Sequence, residues 1–87
     1  MSEQMTAINL LNHHAAKRLR QLREQLGMSR PKFADLLGIP PTTLKNYELG
    51  YREVGGGLFL LIANHADLKQ HLHWLLTGAH TNPPQEA

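Results

Sequence analysis

Thr42, Lys45, Asn46 and Leu49 recur at i, i+3, i+4 and i+7. That spacing places four side chains on one stripe of an α-helix. Their types suit the edges of nucleic-acid bases. An asparagine amide forms a bidentate pair with adenine, a lysine ammonium donates to guanine or to phosphate, and a threonine methyl packs on the thymine methyl. An ordinary solvated helix face has the same appearance, and the four residues alone do not separate the two readings.

Other groupings offer less chemistry. The six histidines stand at 13, 14, 65, 71, 73 and 80, with no cysteine in the chain. His71 and His73 are two apart on a helix and point to opposite sides, and the adjacent His13 and His14 have the same difficulty. No metal and no cofactor are expected. Nucleophile, base and orienting group cannot be assembled from the spacing, so the chain reads as a non-enzyme. Gly55, Gly56 and Gly57 lack a following Gly-Lys-Ser/Thr and a preceding strand, which argues against a phosphate-binding P-loop.

The reading stripe needs a helix with something to brace it. From Ser29 to Gly50 the sequence runs SRPKFADLLGIPPTTLKNYELG. Ser29 is placed to cap a helix over Arg30–Leu37 whose Phe33, Ala34 and Leu37 share one face. Gly38 sits where a helix ends in a left-handed residue. Pro40 holds Ile39 extended, and Pro41 suits the first turn of a second helix that runs to about Leu49 and stops at Gly50. Leu44 and Tyr47 are its inward positions. Helix, glycine turn, helix is a motif whose second helix enters the DNA major groove.

Upstream, Ile8, Leu11, Ala15, Leu19, Leu22 and Leu26 recur at intervals of three or four, which is helical periodicity. Thr6 is a candidate cap, and Asn12 a candidate cap for a later start that would split the segment. Leu19, Leu22 and Leu26 are expected to face the core, whereas Lys17, Arg18 and Arg20 lie elsewhere as candidate phosphate contacts or as a solvated face. Ile8, Leu10 and Leu11 must be covered, by this chain's own core as the default or else by a partner chain. Gly27 ends the helix and Met28 fills the core.

Downstream, Tyr51–Gly57 reads as a loop in which Tyr51 and Arg52 are placed to touch a DNA backbone, and the N-terminus of the next helix to hold a phosphate. LFLLIA, Leu58 to Ala63, suits a buried helix or a buried strand, and helix is preferred. Asp67 with Gln70 three residues on matches a capping box for a helix over Leu68–Leu76 that ends at Gly78. Leu68, Leu72, Leu75 and Leu76 form its apolar stripe. Trp74 lies to one side, as core or as part of a dimer contact.

With 87 residues, one domain is expected. The longest apolar run falls far short of the roughly 20 residues that span a bilayer. The N-terminus lacks a signal-peptide pattern, and a cytoplasmic location is the simplest expectation. The formal net charge is only +2, so the placement of charge matters more than its sum. Lys17, Arg18, Arg20 and Arg23 crowd into seven residues.

Residues from about Ala16 to Leu61 resemble the phage-repressor (Cro-like, XRE) helix-turn-helix family. The resemblance is carried by KRLRQLREQLGMS at Lys17–Ser29, by Phe33-Ala34, by Gly38-Ile39 and by Tyr47-Glu48-Leu49-Gly50, all in register without a gap. It implies an all-α, lambda-repressor-like fold of about five helices. It divides the chain into an N-terminal extension over 1–13, a helix-turn-helix domain over 14–78 and a flexible tail over 79–87. WLLTG at 74–78 is similar to the end of the DNA-binding domain in phage repressors, and no self-cleavage or oligomerisation domain is expected after it.

The resemblance also implies site roles. Thr42, Lys45 and Asn46 read bases, while Pro41 and Leu49 add apolar contacts. Lys17, Arg18, Arg30 and Arg52 hold phosphates, and Arg23 pairs with Glu48 to lock the first helix to the recognition helix. The sequence departs from the family pattern at Arg30, where glutamine is usual, and at Pro40, where a capping serine or threonine is usual. The function implied is a sequence-specific regulator of double-stranded DNA, acting as a homodimeric repressor on an inverted repeat. The alternative is a protein-interaction module or antitoxin that keeps the motif as a scaffold for a protein partner. No membrane partner is expected.

Overall fold

The computed structural model describes residues 3–79, with side chains from Ala7 onward. Expectations for Met1, Ser2 and residues 80–87 lie outside the described residues. Five α-helices follow one another: α1 (Glu3–Gln25), α2 (Arg30–Leu37), α3 (Pro41–Glu48), α4 (Gly56–Ala63) and α5 (Leu72–Thr77), with a 3₁₀ turn at Lys69–His71 before α5. No strand occurs among the described residues, so Leu58–Ala63 is helical.

The core is filled from every helix: Ala16, Leu19 and Leu22 from α1, Phe33, Ala34 and Leu37 from α2, Leu44 and Tyr47 from α3, Leu58 and Ile62 from α4, and Leu75 from α5. Val54 and Leu68 close it from the loops. Each large side chain buried this way contributes about 1.5–3 kcal/mol. Met28 and Trp74 pack against the cluster from its edge.

Local signals account for the turns. The Ser29 hydroxyl accepts from the Lys32 N–H at 3.3 Å, capping α2. Gly38 is left-handed at φ 79°, and its N–H donates to the Asp35 carbonyl at 3.1 Å. A side chain there would meet no neighbour but would be strained by the backbone itself.

Four expectations are corrected. First, α1 is one continuous helix of 23 residues that already includes Thr6 and Asn12, so neither is a cap. The Asn12 side-chain oxygen instead accepts from the Val54 N–H at 2.7 Å, tying the helix to the loop before α4. Second, Ile8, Leu10 and Leu11 are not covered by the chain's own core; they are 53%, 53% and 62% exposed. Ile8 and Leu11 lie on one side of a groove whose other side is formed by Val54, Phe59 and Leu76, which flank them without covering them. Third, the capping box at Asp67 does not form. No side chain caps the 3₁₀ turn, because buried Leu68 occupies that position and the Asp67 N–H donates to His65 Nδ1 at 3.0 Å. Fourth, Leu26 and Leu76 are exposed rather than core. Leu26 lies beyond the last residue of α1, where the helical face no longer directs it inward.

Candidate nucleic-acid interface

The second helix of the motif, α3, starts without a side-chain cap. Pro40 is extended at φ −65°, ψ 145°, and Pro41 opens the helix. The stop is stronger. Gly50 is left-handed at φ 80°, and the Asn46 carbonyl accepts from the N–H groups of Tyr51 at 2.9 Å and Arg52 at 3.2 Å. These bonds satisfy a carbonyl that the helix end would leave orphaned.

Pro41, Thr42, Lys45 and Leu49 are exposed, and Asn46 is half-buried. Leu44, Tyr47 and Glu48 on the same helix are buried. The helix therefore has an inward side fixed by packing and an outward stripe that carries the side chains suited to base edges. The half-burial of Asn46 limits its rotamers, which restricts the directions in which its amide can reach.

The far end of α3 is clamped by charge. The Glu48 side chain has no exposed surface, and its Oε2 accepts from Arg23 Nε at 2.8 Å. Its Oε1 accepts from Arg23 Nη2 at 3.1 Å and from Arg30 Nε at 2.9 Å. Arg23 Nη1 donates to the Met28 carbonyl at 2.9 Å, in the turn between α1 and α2. One carboxylate thus joins α1, α2 and α3. The hydrogen bond to Glu48, outweighing the burial, raises the Arg23 guanidinium above its ordinary value, so it stays charged at any working pH.

The Arg30 bond was not foreseen from the sequence. Its signal was there: a two-oxygen carboxylate reached by one arginine leaves lone pairs to fill when buried. Arg30 opens α2, and its side chain is 30% exposed, so part of the guanidinium still faces out. Arg18 also has a partner. Its Nε donates to the Leu75 carbonyl at 2.9 Å, and its Nη2 reaches the Leu76 carbonyl at 3.4 Å. It satisfies the C-terminal carbonyls of α5, a position that favours a cation.

Lys17 and Arg52 are exposed. Lys17 lines a groove of about 380 Å³ between α1 and the end of α3, together with His13, Arg20, Leu49 and Gly50. The Arg52 guanidinium lies 5.3 Å from the centre of the Tyr47 ring, which holds it beside α3. Arg20 is occupied by an exposed pair with Glu24 at 3.0 Å. Tyr51 is exposed in the loop after α3. Among the described residues, no cluster of His, Cys, Asp or Glu could hold a metal ion, and no helix is long and apolar enough to cross a membrane.

The helix-turn-helix family model matches residues 19–69, which is more than half of the chain and includes both helices of the motif. The chain belongs to the XRE-type, Cro-like helix-turn-helix family. Comparisons with curated proteins and with solved structures gave no significant match. The family is one of DNA-binding transcription regulators and is not usually enzymatic. Within this helix-turn-helix protein, α2 and α3 are the two helices of the motif.

Proposed function

We propose that this protein is a sequence-specific repressor that binds an inverted-repeat operator as a homodimer. The observation that carries the reading is the division of α3: Pro41, Thr42, Lys45 and Leu49 face out, while Glu48 on the same helix is fully buried between two arginines. A rod held at its far end with an exposed outer stripe of mixed polar and apolar side chains suits insertion into a major groove. Thr42, Lys45 and Asn46 read bases, with Pro41 and Leu49 adding apolar contact. Lys17 and Arg52 hold phosphates, and the outward part of Arg30 adds a third contact. Arg18, engaged by the carbonyls of α5, is assigned a structural role in preference to phosphate binding. Two such helices, related by a two-fold axis, would enter successive major grooves about 34 Å apart.

Selection of binding sites from a random duplex pool tests this directly. A palindromic site with half-sites about one helical turn apart is expected. With Asn46→Ala, selection should relax at one base pair per half-site while the others stay fixed. Recovery of no preferred sequence, or an unchanged preference after Asn46→Ala, would overturn the assignment of readers.

A further inference from the structure

The buried stripe of α1 continues past the core it serves. Ala15, Leu19 and Leu22 are buried, and Ile8 and Leu11 precede them on the same face at the same helical spacing. Both are more than half exposed. They wall a shallow groove of about 200 Å³ that Val54, Phe59 and Leu76 also line. No residue of α3 borders it, so an occupant leaves the reading stripe free.

Glu53 at the rim is the one charged residue that lines the groove, and the α1 wall carries none. From Thr6 to Ala16 the sequence contains no Lys, Arg, Asp or Glu. Loss of charge around an apolar centre is the compositional mark of an interface core. Residues 80–87 hold no large apolar side chain with which to fill the groove.

We propose that the groove is the homodimer surface, occupied by the Ile8–Leu11 edge of α1 from a second copy of this chain. The inference rests on the reading of the protein as a two-fold DNA binder. A two-fold axis requires a self-complementary patch. Here one helix supplies both the apolar ridge and a wall of the apolar groove, so two N-terminal halves of α1 packed antiparallel satisfy each other. The area is sufficient, though small. Ile8, Leu11 and Leu76, each about half exposed, offer on the order of 300 Å² of apolar surface per protomer. At the usual apolar share of an interface this corresponds to a total of about 1,000 Å², the lower end for a stable contact. A contact of this size belongs to the small, transient class of interfaces.

Sedimentation equilibrium of the full chain, from about 1 to about 200 μM, tests the surface. Wild type should pass from monomer to dimer. Leu11→Glu should raise the dissociation constant at least about 100-fold, because the two-fold axis places the carboxylate in the interface twice. Leu76→Glu, on another helix, should do the same. Leu10 is exposed as much as Ile8 but does not border the groove, so Leu10→Glu should leave the equilibrium unchanged. Circular dichroism should show native helix content in all three variants. A wild type that stays monomeric at the highest concentration overturns the proposal, as does a dimer that survives both Leu11→Glu and Leu76→Glu or dissociates with Leu10→Glu. DNA affinity is scored separately on a single half-site duplex, where Leu11→Glu should match wild type. Dimerisation through the groove without any DNA binding would remove the functional reading and leave the surface standing.

Discussion

Replacing Glu48 should be the most damaging single change among the charged residues of this protein, and more damaging than replacing Arg23. Glu48→Leu removes the shared carboxylate and strands two guanidiniums. Their exposures differ: the Arg23 side chain is 12% exposed and that of Arg30 is 30% exposed. Arg30 opens α2 and can turn its head toward water, so the loss is set mainly by Arg23. Stranding one buried partner of an ion pair costs about 3–5 kcal/mol. Arg23→Met is milder. Glu48 keeps Arg30 at 2.9 Å and loses the bonds to Arg23, an under-satisfied carboxylate worth about 2 kcal/mol. A chain of this length has roughly 4–13 kcal/mol of stability in total. Glu48→Leu therefore approaches the limit of folding and should lower Tm by on the order of 20 °C. The assay is urea and thermal unfolding followed by circular dichroism for wild type, both single variants and the double variant. The double variant should be no less stable than Glu48→Leu, because the stranded arginine is gone. If the two single losses simply add within about 0.5 kcal/mol, the clamp does not couple α1 to α3 and the reasoning fails.

Three further outcomes concern the α1 cations and His71. Lys17→Ala should weaken binding to all duplex sequences alike and reduce the salt slope by about one, whereas Arg18→Ala should lower stability by about 1–2 kcal/mol with the salt slope unchanged; a reduced slope for Arg18→Ala would restore it to the phosphate contacts. Burial lowers the His71 pKa below its ordinary 6.5. The folded state then binds the proton less readily than the unfolded state, so stability is full above about pH 6.5 and falls as the solution is acidified through the lowered folded pKa. His71→Gln should show a smaller loss of Tm between pH 7 and pH 5 than wild type, and an equal loss would refute the burial argument.

Much of the fold could be read from residues with local consequences. Gly38 and Gly50 mark left-handed stops, Ser29 is a cap, and the tandem prolines fix where α3 begins, all through interactions within a few residues of each. What stayed hidden depends on distance in sequence. Asn12 looks like a helix cap until Val54, 42 residues away, supplies the N–H it accepts. Arg18 looks like a phosphate ligand until the end of α5 arrives beside it. Asp67 and Gln70 have the right spacing for a capping box, but Leu68 is drawn into the core and the helix starts later. Periodicity places Ile8 and Leu11 in line with Leu19 and Leu22; only the packing of the other elements shows that nothing among the described residues covers them.

These long-range bonds share one helix. Asn12 ties α1 to the loop before α4, Arg18 ties it to α5, and Arg23 ties it to α3. The first of these lies one residue from Leu11, and the last lies 12 residues beyond Leu11, or about 18 Å along the axis. α1 is thus a rigid link between the proposed dimer groove and the carboxylate that holds α3. In a two-fold pair joined at Leu11, the separation and tilt of the two reading stripes would be fixed by two copies of that rod rather than by a flexible linker. In that proposed dimer, operator spacing would be a property of α1. A protein with this arrangement should tolerate little change in the distance between half-sites, since stretching that distance means either bending α1 or breaking the contact of Arg23 with Glu48.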